Sequence, residues 1–242
     1  MEEIKMNILI TGADRGLGLA LTKKMLERGF TVFAGQYLPK WLELSELLEK
    51  YPETLKIIPL DIGSDTSVKA AATSIKSIAD KLDMIIGNAG TIGWNDDIYE
   101  PITDTSMMAE VYNINTIGNV RLVEHFLPFL GNSTLRKICF VSSEAGSTAE
   151  CRRDNFFWYG MTKAALNHYA KTLFNRYRKD DFKFRLYHPG WLKTYMHDGE
   201  FNEKARYSAD EGADFAMDYF FDAIIDEDEL TLYTFDKKIM PF

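Results

Sequence analysis

The stretch Met6-Asn7-Ile8-Leu9-Ile10-Thr11-Gly12-Ala13-Asp14-Arg15-Gly16-Leu17-Gly18 joins an apolar run to an amphipathic one through a glycine-rich turn. Its first part, Met6 to Ile10, is short and rich in Ile and Leu, which is typical of a buried parallel strand. After the glycines, apolar residues recur at helical spacing through Leu26. The order of strand, glycine turn and helix predicts a dinucleotide-binding unit, with an ordinary glycine-rich turn as the alternative.

The three glycines of this turn suit the binding of a diphosphate. Gly12 allows a tight turn, Gly16 lets the backbone approach the diphosphate, and Gly18 lets the helix pack closely on the strand. The N-terminus of the following helix then faces the anion. The spacing is Gly-x-x-x-Gly-x-Gly, which differs from the six-residue fingerprint but serves the same physical purpose.

Strands and helices alternate along the rest of the chain. The predicted strands span 6–10, 31–35, 56–60, 83–87, 136–141, 182–187 and 230–233, and the later predicted helices span 42–50, 64–82, 104–130, a run from Tyr159, and 209–225. This alternation predicts an α/β fold, a doubly wound parallel sheet (Rossmann fold) of seven strands flanked by helices, in a single domain over residues 1–242. Ligands bind beyond the carboxyl ends of such strands, so the motifs at those ends should converge.

A second motif, Tyr159-Gly160-Met161-Thr162-Lys163, opens an amphipathic helix. Residues four apart lie on one helix face, so Tyr159 and Lys163 should point the same way. An ammonium beside a phenol lowers the pKa of the phenol from its usual value of ~10, which suits proton transfer at a carbonyl or alcohol oxygen. Taken alone, the pair is better explained as a surface Lys and an interfacial Tyr at accidental spacing, so the interpretation depends on the other motifs of the chain.

Composition and charge exclude several classes of function. The chain carries 28 basic and 36 acidic residues, for a net charge of −8, which argues against nucleic acid and anionic membrane surfaces. Apolar runs are too short to span a membrane, and the start of the chain lacks the apolar region of a signal peptide, so we expect a cytoplasmic protein. Cys139 and Cys151 form no disulfide framework, and the scattered histidines predict no metal site.

The end of the second strand bears on the choice of cofactor. An acid there would bond the adenosine ribose and select NAD, but the chain reads Gly35-Gln36-Tyr37-Leu38. Arg15 has a planar fork that suits a 2′-phosphate, and Lys40 is a weaker candidate. The sequence therefore predicts NADP as the preferred cofactor, with NAD possible and with a solvated Arg15 as the alternative.

In their order and spacing, the motifs resemble those of the short-chain dehydrogenase/reductase family over essentially the whole chain. The matching motifs are Thr11-Gly12-x-x-x-Gly16-x-Gly18, Asp61, Asn88-Ala89-Gly90, Asn115, Ser143, Tyr159-x-x-x-Lys163, and Pro189-Gly190 with Thr194. A narrower resemblance, to the C-factor and sniffer-like carbonyl reductases, rests on residues 188–196 and 235–242. The chain departs from the family at Gly87, where a second Asn is usual, and in a few extra residues before Tyr159.

The resemblance implies a role for each matched residue. Tyr159 would be the general acid in carbonyl reduction and the general base in alcohol oxidation, while Lys163 would lower its pKa and bind the nicotinamide ribose. Ser143 would bond the substrate oxygen, with Ser142 as the alternative, and Asn115 would hold a water that links Lys163 to solvent. The implied cofactor contacts are Gly12, Arg15, Gly16, Leu17, Gly18, Gln36, Tyr37, Asp61, Ile62, Asn88, Ala89, Gly90, Tyr159, Lys163, Pro189, Gly190 and Thr194.

Aromatic residues near these motifs suggest an apolar substrate pocket under a lid. The pocket candidates are Trp94, Phe157, Trp158, Trp191 and Met196, each with core packing as the alternative. The lid is predicted at residues 195–207. We expect Cys139 to be buried and inert, and His188 to be structural because it precedes the Pro-Gly turn.

These observations predict an NADP-dependent oxidoreductase that reduces the carbonyl, or oxidises the alcohol, of a small apolar substrate. The alternative is a cofactor-binding signalling or redox-sensing protein without turnover, although such proteins usually lose the Tyr or the Lys. A sugar-nucleotide epimerase would need a larger C-terminal region. We also expect a homodimer or homotetramer. The helix of the second motif carries more apolar side chains than its own sheet needs, namely Leu166, Tyr169, Leu173 and Phe174. The alternative is that all four side chains pack inward.

Overall fold

The computed structural model of the protein describes residues 5–93, 105–196, 200–222 and 225–242. The strands in these residues are β1 Asn7–Ile10, β2 Thr31–Gln36, β3 Leu55–Pro59, β4 Met84–Gly87, β5 Lys137–Val141, β6 Lys183–His188, β7 Leu192–Lys193, β8 Tyr207–Ser208, β9 Leu232–Thr234 and β10 Ile239–Met240. The α-helices are α1 Gly16–Glu27, α2 Glu43–Lys50, α3 Asp65–Lys76, α4 Thr105–Tyr112, α5 Gly118–Gly131, α6 Phe157–Tyr177 and α7 Ala209–Phe220. The predicted strands lie within two residues of the observed ones at each end.

The described strands form one large sheet in the order β3-β2-β1-β4-β5-β6-β9-β10. Every neighbouring pair in it is parallel except β9 and β10, which are antiparallel. The predicted seven-stranded parallel sheet is confirmed, and the sequence missed the two-residue edge strand β10 and the small ribbon of β7 and β8. The chain reverses its direction of winding between β1 and β4, which makes the carboxyl edge there the expected ligand crevice.

Three predicted helices differ from those observed. The helix predicted at 104–130 is divided by a π-helical segment, Asn113–Ile117, between α4 and α5. The helix predicted at 64–82 begins as expected, with the Ser64 side chain accepting a hydrogen bond from Ser67 N at 3.3 Å, but it ends at Lys76. The last helix ends at Phe220 rather than at 225, and residues 223–224 lie outside the described residues.

Two apolar layers cover the faces of the sheet. One contains side chains of α3, α5 and α6, and the other contains side chains of α1 and α7. Leu166, Leu173 and Phe174 are buried in the first layer, and Tyr169 packs against Phe140 with 6.3 Å between ring centroids. The inference of surplus apolar surface on α6 is therefore wrong, because these side chains meet their own sheet.

Candidate active site

The glycine turn after β1 packs against the segment that follows β4. A Cβ placed on Gly12, whose φ is +61°, would lie 3.0 Å from Ala89 Cα, and one on Gly18 would collide with the Gly12 carbonyl. The Asn88 side chain fastens the two segments, since its Nδ2 donates to Thr11 O at 2.9 Å and to Gly12 O at 3.2 Å. The two motifs therefore converge at the carboxyl edge, as predicted.

The N-terminus of α1 fits the phosphates of a dinucleotide. Among the described residues, no side chain caps this end, and the first turn of α1 holds no acidic residue. The backbone N–H groups and the dipole at this end of α1 are therefore available to bind an anion. The methyl group of Thr194 lies 3.3 Å from a Cβ built on Gly16, so the segment after β6 also faces the loop.

A charged pair from the glycine loop lies at the end of β2. Arg15 Nη1 donates to Asp14 Oδ2 at 2.7 Å, and the Tyr37 backbone N–H donates to Asp14 Oδ1 at 3.4 Å. The Arg15 guanidinium also lies over the Trp41 ring, 5.4 Å from its centroid. Asp14 is buried, whereas Arg15 stays partly exposed, so the Arg15 head can meet a ligand. The sequence reading missed Asp14, because an acid was sought only after β2.

Tyr159, Lys163 and Ser143 are brought together beyond the end of β5. Tyr159 and Lys163 lie one turn apart on α6, and both are buried. Lys163 Nζ lies 5.7 Å from the centroid of the Tyr159 ring and donates to Val141 O at 2.9 Å. The Ser143 side chain lies beside the Tyr159 phenol and acts to lower its pKa. The arrangement presents two hydroxyl groups and an ammonium at one point of the crevice.

Burial is the main influence on the pKa values of Tyr159 and Lys163. It raises the pKa of Tyr159 to about 12, while the neighbouring Ser143 side chain acts in the opposite direction. It also lowers the pKa of Lys163 to about 8. The expectation that Lys163 lowers the Tyr159 pKa below its ordinary value is wrong for this structure, because desolvation outweighs the neighbouring charges and Lys163 bonds Val141 O.

The two serines at the end of β5 have different surroundings. Ser142 Oγ donates to Asn167 Oδ1 at 2.5 Å, and Asn167 Nδ2 donates to Gly146 O at 3.1 Å. Ser142 therefore ties β5 to α6. Ser143 instead donates to Glu144 and lies beside Tyr159, and its choice as the catalytic serine stays a prediction.

Asn115 lies in the π-helical segment between Gly90 and Lys163. A Cβ on Gly90 would lie 3.2 Å from Asn115 Oδ1 and 3.6 Å from Lys163 Nζ. The Asn115 side chain is bonded at both ends to the Thr91 backbone, accepting from N and donating to O at 2.8 Å each. Its backbone carbonyl accepts from Asn119 Nδ2 at 2.8 Å. Irregular π turns inside helices are frequent at functional sites, and this one brings Asn115 to the motif after β4.

A cluster of charged side chains that sequence reasoning missed adjoins Ser143. Ser143 Oγ donates to Glu144 Oε2 at 2.7 Å, and Arg153 Nε donates to Glu144 Oε1 at 3.0 Å. His188 Nδ1 lies 3.4 Å from Glu144 Oε2, and His188 is buried as expected of a structural residue. The available signal was the position of Glu144 directly after Ser143. This cluster adds charged side chains to a site for which the sequence predicted only an apolar pocket.

Several other predicted contacts occupy supporting positions. Asp61 Oδ1 accepts from Gly63 N at 2.8 Å, which shapes the turn after β3. The side chains of Leu17 and Ile62 are buried in the core, so any contact of these residues with a nucleotide would involve the backbone. Gly190 has a φ of +79° and lies beneath the Phe235 ring, where a side chain would collide.

The predicted aromatic pocket divides into buried and exposed members. Trp158 is buried in a small cluster with Tyr159, Val111 and Ala145, whereas Phe157, Trp191 and Met196 are exposed. Trp94 lies outside the described residues, as does part of the predicted lid, residues 197–199. Tyr195, at the start of that lid, packs on Trp41 with 4.6 Å between ring centroids. The lid segment thus contacts the ring that also lies under Arg15.

Metal and membrane features complete the description. Over the ranges that the structure describes, no group of three or more His, Cys, Asp or Glu side chains is placed to hold a metal ion. In the same residues, no helix is long and apolar enough to cross a membrane. Cys139 is buried as predicted, and burial raises the pKa of its thiol to about 12, so the thiol is inert.

The site can be compared with those of known proteins. The family model for short chain dehydrogenases matches residues 6–205. The chain belongs to this family. A carbonyl reductase from chicken fatty liver, solved with NADPH bound, has a TM-score of 0.85 and 30% identity, covering 98% of this chain and 99% of that one. The chain therefore belongs to a family of oxidoreductases.

Two relatives of known sequence agree with this assignment. An uncharacterized oxidoreductase of Schizosaccharomyces pombe is 33% identical over 189 residues, which cover 77% of this chain and 74% of the relative. C-signal of Myxococcus xanthus is 33% identical over 129 residues, which cover 53% of this chain and 75% of that protein. The narrower resemblance to C-factor and sniffer-like carbonyl reductases is confirmed at the level of similarity.

Proposed function

We propose that the protein is an NADPH-dependent carbonyl reductase in which Tyr159 protonates the carbonyl oxygen of a small substrate. The observation that carries this proposal is the burial of Tyr159, Ser143 and Lys163 together beyond the end of β5, with Lys163 Nζ 5.7 Å from the centroid of the Tyr159 ring. The site lies at the edge of the sheet where the glycine turn also ends. The similarity to a carbonyl reductase with NADPH bound supports the reaction class and the cofactor.

The residues of the site divide the chemistry between them. A bound nicotinamide cofactor supplies the hydride. Tyr159 donates a proton to the substrate oxygen. The Ser143 hydroxyl, which donates to Glu144 in this structure, turns to donate a hydrogen bond to the same oxygen and stabilises the developing negative charge. Lys163 would hold the nicotinamide ribose of a bound cofactor through Nζ, which bonds Val141 O in this structure. The buried setting excludes water from the reacting oxygen.

The proton affinity of Tyr159 favours the reductive direction. With a pKa raised to about 12 by burial, the phenol stays protonated over the physiological range and is ready to act as an acid. Alcohol oxidation would require the phenolate, which this environment disfavours. We propose the same residues for oxidation at high pH, with Tyr159 as the base.

The cofactor would be held along the crevice from α1 to the end of β6. The phosphates would meet Gly12, Gly16 and Gly18, while the adenosine ribose would meet Arg15, Gln36 and Tyr37. We propose that the remaining predicted contacts line the adenine and nicotinamide halves: Leu17, Asp61, Ile62, Asn88, Ala89, Gly90, Pro189, Gly190 and Thr194. NADP is the preferred form in this proposal, with NAD able to bind more weakly.

We expect Arg15→Ala to narrow the gap between NADPH and NADH affinity. The substitution removes the guanidinium that would bond the 2′-phosphate, and the binding free energy of NADPH should weaken by about 1.5–3 kcal/mol, the range for a hydrogen bond to a charged group. The lower end applies, because Arg15 is partly exposed and shared with Asp14. Asp14→Asn should widen the gap, since it releases the Arg15 fork. Titration of the intrinsic fluorescence with each cofactor measures both, and equal affinities in the intact protein would refute the NADP preference.

The proposed activity is tested with a panel of aldehydes and ketones and with NADPH or NADH, followed by the loss of reduced-cofactor absorbance. We expect turnover with NADPH that rises for substrates offering a hydrogen-bonding partner to Glu144 or Arg153, because these groups adjoin Ser143. Tight NADPH binding without turnover across the panel would instead favour the alternative, a cofactor-binding signalling or redox-sensing protein. The relative named C-signal is the observation that keeps this alternative open.

We further propose that the protein acts in the cytoplasm as a homodimer or homotetramer, without nucleic acid or membrane partners. Three apolar side chains on the π segment and the start of α6 are exposed: Ile117, Phe157 and Met161. Such a surface suits a contact between copies of the chain. This surface takes the place of the one predicted from Leu166, Tyr169, Leu173 and Phe174, whose side chains pack against their own sheet.

Met161→Glu should therefore lower the mass in solution towards that of one chain, 27.7 kDa. Burial of a new carboxylate at an apolar contact opposes association. Ile78→Glu is the matched control, because Ile78 is as exposed as Met161, at 51%, but lies after α3. Light scattering at micromolar concentration measures the masses, and a wild-type mass of 27.7 kDa would contradict self-association.

A further inference from the structure

A series of polar side chains leads from the Tyr159 phenol to the protein surface. The Ser143 hydroxyl lies beside the phenol and acts to lower its pKa, and Ser143 Oγ donates a hydrogen bond to Glu144 Oε2 at 2.7 Å. Tyr159 and Ser143 are buried, but the Glu144 side chain is 33% exposed. The Glu144 carboxylate is thus the point at which this series of side chains meets solvent.

The neighbouring route through Lys163 and Asn115 is occupied by protein groups. Lys163 Nζ bonds Val141 O at 2.9 Å, and the Lys163 residue is 3% exposed. The Asn115 side chain bonds the Thr91 backbone, and its carbonyl accepts from Asn119 Nδ2. These bonds fix the positions of Asn115 and Lys163, and Glu144 offers a separate route from Tyr159 to solvent.

Glu144 is held in position from two sides. Arg153 contacts Oε1 through both Nε and Nη2, while the guanidinium lies 5.7 Å from the Phe156 ring centroid. His188 Nδ1 approaches Oε2 at 3.4 Å from beneath. Oε1 is therefore fixed by Arg153, which leaves Oε2 directed at Ser143. A carboxylate fixed in this way is organised for transfer through Ser143 rather than for free solvation.

We propose that Glu144 is the proton-relay residue that returns a proton to Tyr159 after each carbonyl reduction. The inference rests on the proposed function. When hydride has added to the carbonyl carbon and Tyr159 has given its proton to the oxygen, a phenolate remains. Ser143 then gives its proton to the phenolate while Glu144, transiently protonated by solvent, gives a proton to the Ser143 oxygen. The carboxylate is restored, and each turnover consumes one proton from solvent.

The ionisation state of Glu144 suits a relay. Burial acts to raise its pKa, but His188, Arg153 and Ser143 outweigh this and hold the pKa below its ordinary value. The carboxylate is therefore the resting form, and a proton that reaches it passes readily to the more basic phenolate beyond Ser143. A stably protonated Glu144 would not return to its starting state.

Glu144→Gln separates the relay from a merely structural role. The amide keeps the size of the side chain and can still bond Ser143, but it cannot carry a proton. We expect steady-state turnover to fall at least about tenfold, while the first turnover of enzyme loaded with NADPH stays within about threefold of the wild type, because Tyr159 begins protonated. Glu150→Gln, the same change at an exposed position of the same loop, should leave both rates unchanged. A small carboxylic acid such as formate should restore turnover in Glu144→Ala.

A second measurement does not depend on turnover. Hydrogen–deuterium exchange of the Tyr159 hydroxyl, read from the carbon-13 shift of its Cζ in the full chain, reports the passage of protons between the buried phenol and solvent. Glu144→Gln should slow this exchange at least about tenfold, comparable with the effect on turnover. Glu150→Gln again serves as the control.

The outcomes separate the relay from the proposed function. An equal loss of the first turnover and the steady-state rate would show that Glu144 only orients Ser143, and unchanged rates and exchange would also overturn the relay. A wild type without turnover on the carbonyl panel would overturn the proposed function, while the exchange measurement would still show whether Glu144 carries protons to Tyr159.

Discussion

Tyr159→Phe is expected to lower turnover by roughly 10²–10⁴-fold, the contribution of a positioned general acid, while leaving NADPH affinity nearly intact. The substitution removes one hydroxyl group and keeps the ring, which packs with Trp158, Val111 and Ala145. The missing group is the proposed proton donor for the substrate oxygen and the neighbour of Ser143. Cofactor binding should persist, because the glycine turn and Lys163 are unchanged.

The measurement pairs steady-state kinetics with an NADPH titration on the same preparation. Tyr169→Phe is the matched control, since Tyr169 lies on the same helix but packs against Phe140 in the core. It should keep normal turnover. A Tyr159→Phe variant with near-normal rates on a verified substrate would show that another group protonates the oxygen, and the proposed mechanism would be wrong.

The parallel sheet and the glycine turn were predictable because local pattern and tertiary role coincide there. The apolar run of β1 is buried on both faces, and the requirement for glycine at Gly18 is a collision with the Gly12 carbonyl. Neither the burial of β1 nor the need for glycine at position 18 depends on which side chain lies at a position distant in sequence. The convergence of Tyr159, Ser143 and the segment after β4 followed from topology alone, because all of them follow or face the carboxyl ends of parallel strands.

The features that were missed depend on pairs of residues distant in sequence or on burial. At Gly87, where the family usually has a second Asn, the Asn119 side chain occupies the adjoining space and reaches the Asn115 carbonyl. The partnership of Glu144 with Arg153 requires the loop before α6 to fold back over β5. The π segment has the same apolar periodicity as the regular helix around it. None of these has a local signature.

The pKa of Tyr159 shows why spacing alone misjudges electrostatics. Tyr-x-x-x-Lys spacing places an ammonium near the phenol, as the structure confirms. Spacing does not report how much water the fold removes from both groups, and here burial raises the pKa of Tyr159 and lowers that of Lys163. The two effects leave a phenol that is an acid at neutral pH beside an amine close to its titration point.

Lys163→Met is expected to weaken NADPH binding by about 1.5–3 kcal/mol, the scale of a hydrogen bond to a charged group, and to reduce turnover as well. Met keeps the length of the side chain, so the loss reports the ammonium rather than a cavity, which Lys163→Ala would add. The effect on stability should be smaller. The variant loses the hydrogen bond to Val141 O, but it also removes a buried ammonium that opposes folding, so the net loss of stability at pH 7 should not exceed the contribution of that bond.

The pH dependence of stability identifies Lys163 as the source of this opposition. Its pKa is about 8 in the folded chain against 10.5 for the ordinary group. Between these values the unfolded chain binds more protons than the folded one, so the wild type should gain stability as the pH rises from about 8 to 10.5. Lys163→Met should lack this gain, whereas the buried Lys137 is present in both proteins and cancels in the comparison. Urea unfolding at intervals across this range measures the difference, and parallel stability curves for the two proteins would show that Lys163 is not held in a desolvated site.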